Sequence, residues 1–199
     1  MNVQTLASLG AQPRRRVAGG FTLLELMIAV SVTAVLLTVV VPSFRTTVLN
    51  SRRAAVVNEV LGTLQLARSE AIKQNKATRV CPSTDQSTCS TTGTDWGSGW
   101  LSFIEGTTGT CATVRPDTSG CGDIVLKASA NNYSGTTIST TVTNLRFLSF
   151  NGTISGNRTL TFCDSRGNTN GDARAIVLDP AGRARISTLD GAGAALTCP

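Results

Sequence analysis

Hydrophobic and polar positions divide the chain into three stretches of different character. Residues 21–42 are almost all apolar and carry a single charge, on Glu25. Residues 43–76 place apolar side chains three or four positions apart, which is the spacing of one face of a helix. Residues 77–199 contain short apolar alternations separated by Thr, Ser, Gly and Asn. The pattern predicts an α+β fold, in which a long N-terminal helix packs on a C-terminal antiparallel β-sheet domain.

The apolar stretch has the length of a membrane-spanning helix. As a helix, residues 21–42 would extend roughly 33 Å, close to the hydrocarbon thickness of a bilayer. A cleavable signal peptide has its small residues after the apolar core, whereas Gly19 and Gly20 precede it here. A carboxylate in lipid is costly unless a cation neutralises it, so Glu25 implies a specific partner. Both features argue against an ordinary signal anchor.

The second stretch is predicted to continue the helix as an amphipathic segment. One face carries the apolar side chains that would press onto a sheet: Val57, Val60, Leu61, Leu64, Ala67, Ala71 and Ile72. The other, solvated faces are expected to carry most of the charged residues, namely Arg52, Arg53, Glu59, Arg68, Glu70 and Lys73. Because proline lacks an amide hydrogen, Pro42 should kink or loosen the helix between the two stretches.

The third stretch predicts eight β-strands bounded by turn residues. They cover residues 77–81, 99–104, 123–127, 136–140, 145–150, 158–164, 174–179 and 183–188. Asn151-Gly152 follows the fifth strand and predicts a β-hairpin there, because both residues tolerate the positive φ of a type I′ turn. Residues 82–95 and 105–122 are predicted loops.

Six cysteines all lie beyond the apolar stretch: Cys81, Cys89, Cys111, Cys121, Cys163 and Cys198. An even number in an exported domain indicates disulfides formed in an oxidising compartment. Zinc is the alternative, but the sequence has no C-x-x-C pair and no histidine. Many pairings are possible. Nearness in sequence favours joining the first to the second and the third to the fourth, which leaves Cys163–Cys198.

The composition argues against an enzyme. Histidine is absent, which removes the commonest general base and excludes Ser-His-Asp and Cys-His arrangements. The carboxylates of Asp164 and Asp172 fall in turn-rich segments, where they are expected to cap or turn the chain, and the sequence has no phosphate-binding P-loop. We therefore expect no catalytic residue, cofactor or metal. The net charge of +6 is a mild bias, sufficient for a local basic patch.

The residues from Gly20 to Ile28, Gly-Phe-Thr-Leu-Leu-Glu-Leu-Met-Ile, resemble the prepilin motif of type IV pilins and type II secretion pseudopilins. The resemblance implies that residues 1–20 are a leader, removed by a prepilin peptidase, and that the new N-terminal Phe21 is methylated. Glu25 would meet the N-terminal amine of a neighbouring subunit. The implied location is the bacterial inner membrane, as a single-pass protein with a periplasmic C-terminal domain, and then the pilus filament at the cell surface.

Three further segments are similar to the GspH/FimT group of minor pilins and pseudopilins. They are Leu-Ala-Arg-Ser-Glu-Ala-Ile at 66–72, Trp-Gly-Ser-Gly-Trp at 96–100 and Phe-Cys-Asp-Ser-Arg-Gly at 162–167. The similarity extends over nearly all of the chain after the leader, and it implies assembly with a major pilin and other minor pilins. We expect Trp96 and Trp100 to pack over the sheet rather than stack on a ligand.

The segment Asp179-Pro180-Ala181-Gly182 predicts a type I turn followed by a glycine bulge, with Gly182 at positive φ. This register places Arg183 opposite Asp179 and Arg185 opposite Val177. The two arginines then share the open face of one strand, about 7 Å apart. The core face is predicted to carry Ile176, Leu178, Ala184 and Ile186. Two rigidly held guanidinium groups suit phosphate, although from spacing alone the favoured role is protection of an edge strand.

Gly182, Arg183 and Arg185 match the Gly-Arg-x-Arg motif of FimT-like pilins that bind DNA in natural transformation. The resemblance implies a minor pilin at or near the tip of a type IV pilus that binds double-stranded DNA without sequence preference. The alternative is a purely structural minor pilin, or a GspH-like pseudopilin of a type II secretion system, that primes or caps filament assembly.

Overall fold

The computed structural model describes residues 20–90, 96–106, 122–130, 135–140, 142–168 and 171–198. Within these ranges one long helix precedes eight strands, as predicted. The elements are α1 Leu23–Gln74, β1 Thr78–Pro82, a 3₁₀ turn Trp96–Ser98, β2 Gly99–Ile104, β3 Ile124–Ala130, β4 Thr136–Ser139, β5 Leu145–Phe147, β6 Arg158–Asp164, β7 Arg174–Leu178 and β8 Ala184–Ser187. Each predicted strand overlaps an observed one, and the predicted α+β fold is confirmed.

The chain divides into two compact units after Phe44, and the first contains the start of α1. The Glu25 backbone amide donates to Thr22 Oγ1 at 3.2 Å, and the Leu26 amide donates to the Thr22 carbonyl at 3.1 Å. A threonine followed three residues later by glutamate is a capping-box sequence. The helix therefore begins at Leu23 because Thr22 accepts hydrogen bonds that the first turn cannot make internally.

In the part of the chain that the structure describes, no single unbent helix is both long and apolar enough to cross a membrane. The segments Leu23–Thr38 and Ser43–Gln74 have the required length and composition only when they are taken together as a bent pair. The membrane span predicted over residues 21–42 stays a prediction, and so does the effect of Pro42. The predicted leader lies outside the described residues, except for Gly20.

The second unit, from Arg45 onward, contains two four-stranded sheets. Sheet A has the strand order β3-β2-β1-β5, and sheet B has the order β4-β6-β7-β8. The paired strands of both sheets run antiparallel. In sheet B, β8 pairs only with β7 among the described strands, so it lies at an edge of the sheet.

In this unit α1 packs against both sheets through one apolar face. The buried side chains of that face are Val56, Val57, Val60, Leu64, Ala67 and Ala71. They join a single core cluster with residues of both sheets, among them Val80, Phe147, Leu160 and Ile176. Trp96 and Trp100 are fully buried in the same cluster, and Trp100 Nε1–H donates to Thr63 Oγ1 at 3.2 Å. The predicted packing role of the two tryptophans is confirmed.

The two largest departures from the predicted faces of α1 are at Ile72 and Arg53. Ile72, expected on the core face, is 43% exposed. The expectation that Arg53 lies on a solvated face is wrong, because this residue is only 4% exposed. Its Nη1 lies 3.1 Å from Oδ2 of Asp164 at the end of β6. A carboxylate that is distant in sequence thus neutralises a cation on the packed side of the helix.

The hairpin predicted at Asn151-Gly152 is also wrong. The strand before it, β5, pairs with β1 in sheet A, whereas the strand after it, β6, pairs with β4 and β7 in sheet B. The chain does turn there, and Gly152 has a φ of 63°. An Asn-Gly pair specifies a local reversal, but the partners of the flanking strands are chosen by the packing of their apolar faces.

Two of the three predicted disulfides are confirmed, Cys81–Cys89 and Cys163–Cys198. The third predicted pair, Cys111–Cys121, lies outside the described residues. Cys163 belongs to β6, so its bridge to Cys198 ties the C-terminal segment to sheet B.

Candidate functional site

The turn between β7 and β8 has the predicted geometry. The Gly182 amide donates to the Asp179 carbonyl at 2.9 Å, and the Asp179 amide donates to the Arg183 carbonyl at 3.1 Å. Gly182 has a φ of 75°, and Arg185 lies opposite Val177. The predicted register of this hairpin is confirmed, and it fixes where the two arginines project.

Gly182 is required at this turn for two independent reasons. Its φ lies in the left-handed region that disfavours side chains. A Cβ at this position would also collide with the Gly152 carbonyl oxygen and lie 3.1 Å from Arg68 Nε. Arg68 is half-buried, and its Nε is buried with no hydrogen-bond partner among the described residues. The hairpin turn therefore lies against a second turn and against an arginine of α1 that the sequence pattern placed on a solvated face.

Arg183 projects from the hairpin into solvent and pairs with the acid that opens the turn. Its side chain is 73% exposed, and its Nε lies 2.9 Å from Asp179 Oδ2. The Arg183 amide also donates to Asp179 Oδ1 at 2.9 Å. That backbone hydrogen bond, followed by the guanidinium, holds the pKa of Asp179 below its ordinary value. A solvent-exposed pair of this kind contributes little to stability, so a stronger anion can compete for Arg183.

Arg185 is exposed, and its side chain makes no hydrogen bond or ion pair with the described residues. The face of sheet B that Arg185 shares with Val177 was predicted to be open, but the structure shows that it is partly covered. Val177 is 3% exposed and packs with Cys163 and Leu196, because the disulfide to Cys198 holds the C-terminal segment over β7. The edge position of β8 leaves Arg185 outside this cover.

The opposite face of the hairpin contributes to the core as predicted, except at its end. Ile176 and Leu178 are fully buried, and Ala184 is half-buried. Ile186 is 47% exposed, since it lies near the end of an edge strand.

Arg166 and Arg174 do not join the hairpin arginines. Arg174 begins β7, whereas the turn follows the other end of that strand. Arg166 Nη2 lies 2.5 Å from Asp164 Oδ2, and its Nη1 lies 3.4 Å from Asp172 Oδ1. Arg174 Nη1 donates to the Gly171 carbonyl at 2.8 Å. Both side chains are occupied with contacts inside the domain, so the candidate site rests on Arg183 and Arg185.

Asp164 is the centre of this separate network. Its side chain is 1% exposed and contacts both Arg53 and Arg166. The side-chain hydrogen bonds from Arg166 are the main cause that holds the pKa of Asp164 below its ordinary value, against the opposing effect of desolvation. Asp164 Oδ1 also accepts the Arg166 amide at 3.0 Å, so the expected turn-capping role is confirmed and an ion-pairing role is added.

The described residues offer little for a metal or a small ligand. Within the described ranges, no group of three or more Cys, Asp or Glu side chains is placed to hold a metal ion. A cavity of about 360 Å³ between α1 and sheet B is lined in part by Asn50, Arg53, Asp172 and Arg174. Its arginines already contact protein oxygens, so we assign it no ligand.

The residues predicted for processing and assembly lie at or just before the start of α1. Gly20 and Phe21 precede the helix and are exposed. Glu25 lies in the first turn and is exposed, and its carboxylate makes no hydrogen bond or ion pair with the described residues. A carboxylate is favourable near a helix N-terminus, and this one stays available to a cation of another molecule.

Two family models match the chain. The one described as the prokaryotic N-terminal methylation motif matches residues 15–41. The one described as type II transport protein GspH matches residues 56–182, more than half of the chain. The chain belongs to the GspH family. The GspH match ends at Gly182, so it does not include Arg183 or Arg185.

Two crystal structures of the type IV minor pilin FimU from Pseudomonas aeruginosa strain PAO1 are similar to this GspH-family chain. Their sequence identities are 24% and 25%, and their TM-scores are 0.48 and 0.47. Each alignment covers 67% of this chain, and they cover 87% and 91% of the FimU chains. No curated protein matches significantly. The two family matches by themselves identify a GspH-family chain with a prepilin-type N-terminus, which implies that the chain is anchored in the membrane before assembly.

Proposed function

We propose that this protein is a minor pilin of a type IV pilus that binds double-stranded DNA through Arg183 and Arg185, for uptake in natural transformation. The supporting observation is the hairpin tip, where Arg183 in the turn and Arg185 on the edge strand β8 are both exposed and lie two residues apart. Gly182 holds the turn, so the groups are presented from a rigid backbone. Contacts of this kind go to phosphates, so binding has little sequence preference and weakens with salt.

The ion pair with Asp179 does not prevent this role. The Arg183 side chain is 73% exposed, and water screens an exposed pair strongly. A phosphate offers several oxygens to the guanidinium fork in a bidentate arrangement. Phosphate therefore displaces Asp179 from Arg183, while Arg185 has no described partner to lose.

Assembly is proposed to follow the prepilin route. Cleavage by the prepilin peptidase between Gly20 and Phe21 and methylation of Phe21 leave a charged amine at the new N-terminus. In the filament, Glu25 of one subunit neutralises the amine of its neighbour, since a charge in an apolar setting is tolerated when it is paired. The partners are a major pilin and other minor pilins, and before assembly the C-terminal domain lies in the periplasm.

A second candidate is a purely structural subunit that primes or caps a pilus or a type II secretion pseudopilus. The observation that favours it is the pairing of Arg183 with Asp179 at 2.9 Å. In that case the hairpin arginines only keep an edge strand soluble.

Replacing both Arg183 and Arg185 with glutamine is expected to reduce duplex DNA affinity roughly tenfold or more at low salt, because two phosphate contacts are lost. Both side chains are exposed, so the fold should be unchanged. The measurement is a gel shift with the mature chain in detergent and two unrelated duplexes, at two salt concentrations. Circular dichroism checks the fold.

The matched control replaces Arg45 and Arg52, two exposed arginines of α1, with glutamine, which removes the same charge elsewhere. It should bind nearly as well as wild type. Asp179→Asn should raise the affinity for duplex DNA, because the substitution removes the carboxylate that pairs with the Arg183 guanidinium. The asparagine side chain can still accept the hydrogen bond from the Arg183 amide. Equal binding by wild type and the Arg183/Arg185 double variant would leave the structural candidate.

A further inference from the structure

Phe150 is an exposed aromatic side chain on a strained backbone. It is 81% exposed, and its φ is 76°. Positive φ is an outlier for a bulky residue, because its Cβ crowds the following carbonyl group. The side chain buries almost nothing in the domain, so packing within the described residues does not compensate the strain. Residues that the surrounding structure holds in such a strained conformation cluster at active and binding sites.

Hydrogen bonds on both sides impose this conformation. The Asn151 amide donates to the Ser149 carbonyl at 3.0 Å, across Phe150, which is the pattern of a γ-turn. The Gly152 amide donates to the Leu148 carbonyl at 3.0 Å. Phe150 is therefore held at the apex of a compact turn, and its ring is presented to solvent at little further entropic cost on binding.

The turn that carries Phe150 lies against the hairpin turn that carries the arginines. The Ile154 amide donates to the Pro180 carbonyl at 3.1 Å, and Gly182 approaches the Gly152 carbonyl so closely that a Cβ would collide with it. A Cβ on Gly152 would in turn lie 2.9 Å from Arg68 Cγ. The turn with the exposed aromatic residue and the turn with the arginines are therefore in direct contact through their backbones.

We propose that Phe150 is a base-stacking residue, which gives these two turns a site for unpaired DNA bases next to the arginines. The inference rests on the proposed DNA binding and extends it. Proteins that hold single-stranded DNA combine a basic track for the backbone with aromatic side chains on which bases stack. In a duplex the base faces are covered by their neighbours, so Phe150 acts on single strands and frayed ends, whereas Arg183 and Arg185 act on both forms.

Phe150→Asn tests the proposal, because asparagine tolerates positive φ but cannot stack in the same way. We expect affinity for a fluorescent oligothymidine to fall roughly tenfold, the effect of losing one stacked base. Affinity for a blunt duplex should change less than twofold. Phe150→Trp, which keeps an aromatic ring at this position, should bind single-stranded DNA about as tightly as wild type. The thermal midpoint of Phe150→Asn should equal or exceed that of wild type, since strain is relieved. All measurements use the mature chain in detergent.

The matched control is Ile124→Asn, which alters a 49% exposed apolar residue of β3, an edge strand of sheet A, whereas the arginine hairpin belongs to sheet B. It should leave single-strand affinity unchanged. Wild-type single-strand affinity in Phe150→Asn would overturn the stacking role, and the DNA-binding function would still stand if Arg183→Gln/Arg185→Gln loses duplex binding. No binding of either DNA form by wild type would overturn both. Loss of filament incorporation by Phe150→Asn, with unchanged DNA affinity, would overturn the proposal in favour of a subunit contact.

Discussion

Replacing Asp164 with asparagine is expected to lower the free energy of unfolding by about 3–5 kcal/mol. The side chains of Arg53 and Asp164 are 5% and 1% exposed, so the variant leaves a guanidinium buried without its counterion. Desolvation already lowers the pKa of Arg53, and the attraction of Asp164 is the main opposing effect. Urea unfolding is followed by tryptophan fluorescence, because Trp96 and Trp100 are both buried in this domain.

Arg53→Met is the companion variant. This variant removes the buried cation, and Asp164 keeps its ion pair with Arg166, whose Nη2 lies 2.5 Å from Asp164 Oδ2. Arg53→Met should therefore lower the free energy of unfolding less than Asp164→Asn does. In the Arg53→Met background, Asp164→Asn should cost less than it does alone, since less positive charge is left unpaired. Equal costs in both backgrounds would contradict the assigned ion pair.

The same carboxylate predicts how stability changes with pH. The pKa of Asp164 is lower in the folded protein than the value of about 3.9 of an unfolded chain. Its contribution is therefore complete above about pH 4 and is lost as the pH falls through the lower folded-state pKa. The wild type should lose stability in that acidic range more steeply than Asp164→Asn.

Gly182→Val is expected to destabilise the domain by about 3–5 kcal/mol and to weaken DNA binding with it. A β-branched residue at a φ of 75° is strained whatever surrounds it. Its Cβ would also collide with the Gly152 carbonyl oxygen, which is backbone and cannot rotate away. Either the turn opens or the two turns separate, and both changes displace Arg183.

Glycine-to-alanine variants separate these two causes. Gly167 has a φ of 65°, and a Cβ there would meet nothing within 4 Å. Gly167→Ala therefore measures the backbone strain alone, whereas Gly182→Ala adds the collision. Gly182→Ala should cost clearly more than Gly167→Ala in the same urea experiment. If both variants lower the free energy of unfolding by the same amount, the close approach of Gly182 to the Gly152 carbonyl does not limit stability.

Local sequence signals predicted much of this fold because their causes are local. The spacing of Val57, Val60 and Leu64 identified the buried face of α1, and Asp179-Pro180-Ala181-Gly182 specified both the turn and the register of β7 with β8. Each depends on neighbours a few positions away, where helix and turn geometry leave few choices.

The parts that sequence patterns missed depend on distant partners. The sequence pattern predicted Arg53 as a surface residue, because its buried partner Asp164 is far away in the sequence. Asn151-Gly152 predicted a hairpin, but the strands on either side of the turn pair in different sheets. Phe150 was predicted as the last residue of a strand, but β5 ends at Phe147, and the exposure and positive φ of Phe150 are defined only in the folded chain. Part of the candidate site, Arg183 and Arg185, was therefore predictable, while the aromatic neighbour was not.

The intact mass of the protein in sheared filaments decides whether this chain is a processed subunit of a pilus filament, as we propose. We expect the chain to be present there, to begin at Phe21 and to carry one N-methyl group. A chain that is absent from the filaments, or that is found there with Arg14, Arg15 and Arg16 still attached, would contradict this proposal.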